Sequence, residues 1–147
     1  MSDNNFAAVG AIVLREDKVL LVRHTYGSAA NKLLNPGGML QQNEMPYDAV
    51  KREVLEETGI IVNPTGVLSI RCSDKSWYMV FLAEYVSGEP KSDGNENSEA
   101  LFMDCDEVFK RSDTTDTVKS LLRLALNYKP LPLTDAGKGR VSFSVFE

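Results

Sequence analysis

The sequence predicts an α/β fold in which a mixed β-sheet lies between helical layers. Three observations lead there. Short runs rich in β-branched and aromatic residues occur near the N-terminus, Phe6 to Leu14 and Lys18 to Val22, and again at Gly66 to Cys72 and Trp77 to Val86. One stretch of helical periodicity, Pro46 to Thr58, separates the two pairs, and a second, Thr115 to Tyr128, follows them. With 147 residues, 43% of them hydrophobic, the chain is expected to form one domain, 1–147, with a sizeable core.

Each element has a local reason. The polar turn Arg15-Glu16-Asp17 joins the first two runs as a hairpin. Arg23 and His24 end the second strand beside a flexible run, Tyr26 to Lys32, that leads into Leu33-Leu34-Asn35-Pro36-Gly37-Gly38. Pro46 suits the first turn of a helix, where its missing N–H goes unused, and Gly59 suits the left-handed position past a helix end. Tyr47, Val50 and Val54 give that helix an apolar stripe. After it come Ile60 to Val62 and a turn at Asn63-Pro64, before the second pair of strands. Glu89 to Ser98 reads as a loop, Ala100 to Met103 as a short apolar strand, and Asp104 to Arg111 as a short helical turn. Asp113 or Thr114 is expected to cap the last helix, and Pro130 and Pro132 to stop it. The tail Arg140 to Phe146 alternates apolar and polar residues. It suits either a homodimer strand or a strand added to the chain's own sheet.

Composition excludes several functions. The net charge of −5 and pI near 5.0 leave no basic stripe for a nucleic-acid polymer, so an anionic substrate must be met locally, by metal and a few cations. No signal-peptide pattern and no apolar run of about 20 residues occur, so a cytoplasmic protein without a membrane segment is expected. Cys72 and Cys105 are too few for a disulfide framework and read as reduced, core-facing thiols.

The chemistry is concentrated between Gly38 and Ile60. Glu53, Glu56 and Glu57 stand at i, i+3 and i+4 and share one helix face. Like charges at that spacing cost roughly 0.2–0.5 kcal/mol per pair in an isolated helix. A divalent cation removes the strain, and an all-oxygen set on a short arc suits Mg²⁺ or Mn²⁺. A solvated acidic face is the plain alternative. On the helical wheel Glu57 lies at the edge of the apolar stripe and Glu56 furthest from it, so Glu57 is expected to be the more buried and to need a neighbouring cation to stay ionised. Arg52 points away from the stripe toward acidic neighbours, with Glu44 as a candidate partner.

The run Gly38-x5-Glu44-x7-Arg52-Glu53-Val54-x-Glu56-Glu57-x-Gly59-Ile60 resembles the Nudix box of the Nudix hydrolases, with every defining position filled. The resemblance implies the Nudix-type α/β/α sandwich. It also implies hydrolysis of a nucleoside diphosphate linked to another group, a box arginine (Arg52) that orients the acidic residues, and a metal contact from the Gly37 carbonyl. The family often draws a further carboxylate from the region of Glu96 and Glu99, and Glu99 is the slightly favoured of the two. Phe102 stands where the family often has Trp.

Metal held by Glu53, Glu56 and Glu57 would meet charge developing on phosphoryl oxygens, and attacking water must also lose a proton. His24, the one histidine, has no nucleophile pattern beside it, so a carboxylate or the metal must assist. Glu53 is the expected base, with Glu99 in reserve. Arg23 is the first candidate for a phosphate contact, a surface arginine being the alternative. Trp77 and Tyr78 are candidates for base stacking, core packing being the alternative. The rival from another class is a catalytically silent Nudix-fold binding or sensor module.

Overall fold

The computed structural model describes residues 6–143. In chain order the strands are β1 (Ala7–Arg15), β2 (Lys18–His24), β3 (Leu33–Leu34), β4 (Gly37–Met39), β5 (Ile61–Cys72), β6 (Trp77–Ser87), β7 (Asn97–Asp104), β8 (Leu131–Gly137) and β9 (Arg140–Phe143). Helix α1 (Pro46–Thr58) lies between β4 and β5, and α2 (Cys105–Lys110) and α3 (Asp116–Asn127) lie between β7 and β8.

The sheet is mixed because β1 runs parallel to β6, with Val9 opposite Met79, while every other pairing is antiparallel. Being central, β1 is buried on both faces, which is why it reads as a nearly unbroken apolar run rather than an alternating one. Ala7, Val9, Ala11 and Val13 pack with Ala49, Val50 and Val54 of α1 and with Phe81. Ile12, with Val19, Leu21 and Val80, packs on the other side against Val108 of α2 and Val118, Leu121 and Leu122 of α3. Two apolar layers thus separate α1 from α2 and α3, the α/β/α arrangement expected. Strand β1 also pairs with β4, Gly10 opposite Gly37, and this pairing brings the Gly37-Gly38 turn under α1.

Helix α1 has the bounds its proline and glycine announce: Gly59 is left-handed (φ 76°) and its N–H donates to the Leu55 carbonyl. Elsewhere the local signals misled. No turn occurs at Asn63-Pro64; β5 runs through it, Pro64 sits opposite Ala83, and a bulge between Pro64 and Gly66 absorbs the proline's missing donor. Cys105 is buried as expected, but Cys72, at the end of β5, is exposed. The tail from Arg140 to Phe143 folds back on β8 in the chain's own sheet, while Ser144 to Phe146 lie outside the described residues. No helix among the described residues is long and apolar enough to cross a membrane.

The cap of α3 is Thr115, whose hydroxyl accepts from the Val118 N–H at 3.1 Å, and not Asp113 or Thr114. Those two are engaged elsewhere: Thr114 donates to the Val108 carbonyl and Asp113 pairs with Arg111 and Arg23. Replacing Thr115 with Ala should therefore cost about 0.5–2 kcal/mol in denaturant unfolding, whereas a solvent-facing substitution such as Lys129→Ala should leave the midpoint within experimental scatter.

Candidate active site

Helix α1 carries its acids on the side facing the Gly37-Gly38 turn. Glu57 is 5% exposed, and its Oε2 accepts from the Gly37 N–H at 3.3 Å. Glu53, one turn earlier, lies so close to Gly38 that a β-carbon there would collide with its carboxylate. Glycine at 38 is thus required by the approach of an acid rather than by backbone dihedrals. Glu56 projects outward, with 57% of its side chain exposed. The wheel's ordering of Glu57 and Glu56 therefore holds: Glu57 is buried, and Glu56 lies at the rim, sharing Arg52 Nη1 with Glu53 and adding its charge there.

Arg52 ties this helix to the loop before it. Its Nε and Nη2 grip both oxygens of Glu44 at 2.7 and 2.9 Å. Nη1 donates to Glu53 and Glu56 at 2.9 and 3.1 Å, and Nη2 also donates to the Met39 carbonyl at 3.2 Å. All five guanidinium donors are used. Glu44 also accepts from the Gln41 N–H, so the arginine fixes the turn leading into α1. These hydrogen bonds, Arg52's first, hold the Glu44 carboxyl below its ordinary range even though burial opposes them.

A second acidic segment reaches the same place. Residues 88–96 wrap past the C-terminal end of α1, where the Lys91 N–H donates to the Thr58 carbonyl. Asp93 and Glu96 lie close enough for their charge to be felt at Glu57, and that of Glu96 at Glu53 as well. Glu99, the carboxylate favoured from the sequence, is instead held by Arg23, Nε to Oε1 at 3.0 Å. Arg23 also donates to the Asn31 carbonyl and to Asp113, so three acceptors occupy the guanidinium expected to meet phosphate. Trp77 and Tyr78 are half-buried and pack against opposite core layers. The Tyr78 hydroxyl accepts from Asn35 Nδ2 at 2.9 Å, and its ring borders a cavity of about 320 Å³ together with Lys32, Asn35, Thr115 and Thr117. The exposed aromatic beside the acids is Tyr26, stacked on His24 with centroids 5.3 Å apart. Sequence reasoning passed over it because it lies in the run read only as flexible.

Comparison with known proteins gives this arrangement its family. A model of the NUDIX domain matches residues 4–124. The chain belongs to the Nudix hydrolase family. An ADP-ribose pyrophosphatase of Methanocaldococcus jannaschii is 29% identical over 123 residues, covering 79% of this chain and 72% of that protein. The 8-oxo-dGDP phosphatase NUDT18 of Mus musculus is 28% identical over 97 residues, but the match covers 65% of this chain and spans only 30% of that longer protein. Among solved structures, a NUDIX hydrolase from Nitrosomonas europaea superposes with a TM-score of 0.76 at 28% identity, over 93% of this chain and all of that one.

The acids of this Nudix box are electrostatically strained. Burial, the neighbouring Glu53 and, more weakly, Glu96 and Asp93 push the Glu57 carboxyl up to about 9, and the Gly37 N–H only partly offsets them. Burial also raises Glu53, against the pull of Arg52. Among the described residues no three His, Cys, Asp or Glu side chains stand in a ready metal-binding array, since Glu53 turns to Arg52 and Glu57 to Gly37. The donor chemistry nevertheless fits a hard divalent cation: oxygen ligands only, two of them buried and mutually repelling, with a third acid at the rim.

Two outcomes follow from this geometry. Arg52→Lys keeps the charge but loses the forked grip on Glu44, and should lower unfolding stability by about 1.5–3 kcal/mol, read from urea melts. In chelator, Glu57 is protonated when folded up to about pH 9 but ionises near 4.5 when unfolded. The folded chain then holds the extra proton, so this group's stabilising contribution falls as pH rises between those values. Thermal melts in EDTA should show that decline and Glu57→Gln should flatten it, while divalent metal uptake should release protons in calorimetry across buffers of different ionisation heat.

Proposed function

We propose that this Nudix chain is a metal-dependent hydrolase that cleaves the pyrophosphate linkage of a nucleoside diphosphate joined to another group. The observation that carries the reading is the pair of mutually repelling carboxyls Glu57, buried, and Glu53, half-buried, within reach of the charge of Glu96 and with Arg52 the one cation bound to Glu53 among the described residues. A fold that needed only to bind a nucleotide would gain nothing by burying that repulsion.

Glu53, Glu57 and Glu96, with Glu56 at the rim and the Gly37 carbonyl, are the groups that would hold Mg²⁺ or Mn²⁺. A bound divalent ion supplies charge opposite the phosphoryl oxygens and lowers the pKa of water. Glu53 is the proposed base. Water oxygen bonds to one phosphorus, the bridging P–O bond breaks, its electrons leave with the departing phosphate, and the water proton passes to the Glu53 carboxylate. Burial has already raised the proton affinity of Glu53, which brings it toward the range a general base needs. Arg52 holds Glu53 in place through Nη1 and does not itself enter the reaction. Because Glu99 is paired with Arg23, Glu96 takes the place of the reserve carboxylate. The names of the archaeal and mouse relatives make ADP-ribose and 8-oxo-dGDP the first compounds to try.

Assayed with Mg²⁺ or Mn²⁺ on a panel of such nucleotides, with products identified by mass, the wild-type chain should release a nucleoside monophosphate or the corresponding phosphate products. Glu53→Gln should reduce turnover by about 10²–10⁴-fold. Tight nucleotide binding without cleavage would instead establish the silent binding module.

A further inference from the structure

A buried amide lies between the two halves of the site and belongs to neither. Asn97, the first residue of β7, is 2% exposed. Its Nδ2 donates to the backbone carbonyl of Glu57 at 2.9 Å, and its Oδ1 accepts from the Asp93 N–H at 3.2 Å. A carbonyl on one side and an N–H on the other leave only one orientation for this amide. Its main chain is committed too: the N–H donates to Asp93 Oδ1 at 3.0 Å and the carbonyl accepts from Ser92 Oγ at 2.8 Å.

Each end of this node has a use. The last carbonyls of a helix have no partner within it. In α1 the Leu55 carbonyl is taken by Gly59, that of Thr58 by Lys91 and that of Glu57 by Asn97. At the other end Asp93 closes the turn through the N–H groups of Asn95 and Asn97, and Thr25 grips the Glu96 carbonyl through its own N–H and Oγ1. Glu96 is therefore clamped between Thr25 and Asn97. Its backbone stands at a set place because the loop is hung from the helix turn that carries Glu57, and from there its charge reaches Glu53 and Glu57.

We propose that Asn97 is a positioning residue: by joining the Glu57 carbonyl to the 93–96 turn it sets the Glu96 carboxylate against Glu53 and Glu57, completing the set of oxygens for a divalent cation. This rests on the proposed function, in which those three acids hold the metal. Asn97 acts only through Glu96. Serine is too short to reach the Glu57 carbonyl and alanine has no donor, so both cut the side-chain link from the 93–96 turn to that carbonyl while the turn's own backbone contacts remain.

The test is a double-mutant cycle in the full chain, read as Mn²⁺ binding to substrate-free protein by electron paramagnetic resonance and in parallel as thermal stability. In the wild-type background Asn97→Ala should weaken Mn²⁺ binding by about 10–100-fold. In a Glu96→Gln background the same change should move the affinity by less than about twofold, while the loss of melting temperature should be alike in both, because stability does not depend on the Glu96 charge. Equal weakening in both backgrounds, or none in the wild type, overturns the proposal. If Asn97→Ala does not fold, Asn97→Ser is read by the same criteria. Wild-type protein that takes up no Mn²⁺ would overturn the metal-dependent reading itself, and this proposal with it; binding by wild type that Asn97→Ala leaves unchanged overturns only the role given to Asn97.

Discussion

The structure turns on two carboxyl groups buried one helical turn apart. Glu57 is buried and Glu53 half-buried, so their repulsion is screened less than the same pair would be on a surface. Most of the surrounding construction is a response. Arg52 faces Glu53 and is anchored from behind by Glu44. The Gly37 amide faces Glu57, and Gly38 withdraws its side chain to make room. Only the Gly37 N–H offsets the burial of Glu57, which therefore stays largely uncompensated.

The sheet serves the same end. The antiparallel step from β1 to β4 puts a glycine turn beneath α1, and the apolar stripe of Ala49, Val50 and Val54 seats the helix so that its acidic edge meets that turn. The opposite layer supports a cavity beside Tyr78, reached from the same turn through Asn35. Box and cavity thus adjoin one short segment of backbone, Asn35 to Gly38.

Much of this was legible in the sequence because it is local. Proline and glycine bracket α1, and the wheel orders Glu57 and Glu56 by burial, since helical geometry depends on near neighbours alone. What could not be read depended on partners distant in the chain. Glu99 and Glu96 are three residues apart in a polar stretch, and only the pairing of β7 with β2, which sets Glu99 opposite Arg23, tells them apart. Arg23 shows the same limit: its residue type suits a phosphate, yet its environment supplies Asp113 and Glu99. Asn97 carries no sequence signal, because an asparagine in a loop of Asn, Ser, Gly and Asp looks like turn chemistry until the Glu57 carbonyl is seen above it. Pro64 misled in the opposite sense, a turn residue absorbed by a bulge.

The parallel pairing of β1 with β6 joins segments about half the chain apart, and α1 is encoded between them. A thirteen-residue helix with a weakly apolar face gains little from forming alone. Its docking surface arises only when that distant pair of strands has met, and bringing such remote segments together is the slow, entropically demanding part of reaching a native topology. Glu53 and Glu57, four residues apart in the chain, meet on one face only when this helix forms, so the docked scaffold is what bears their repulsion.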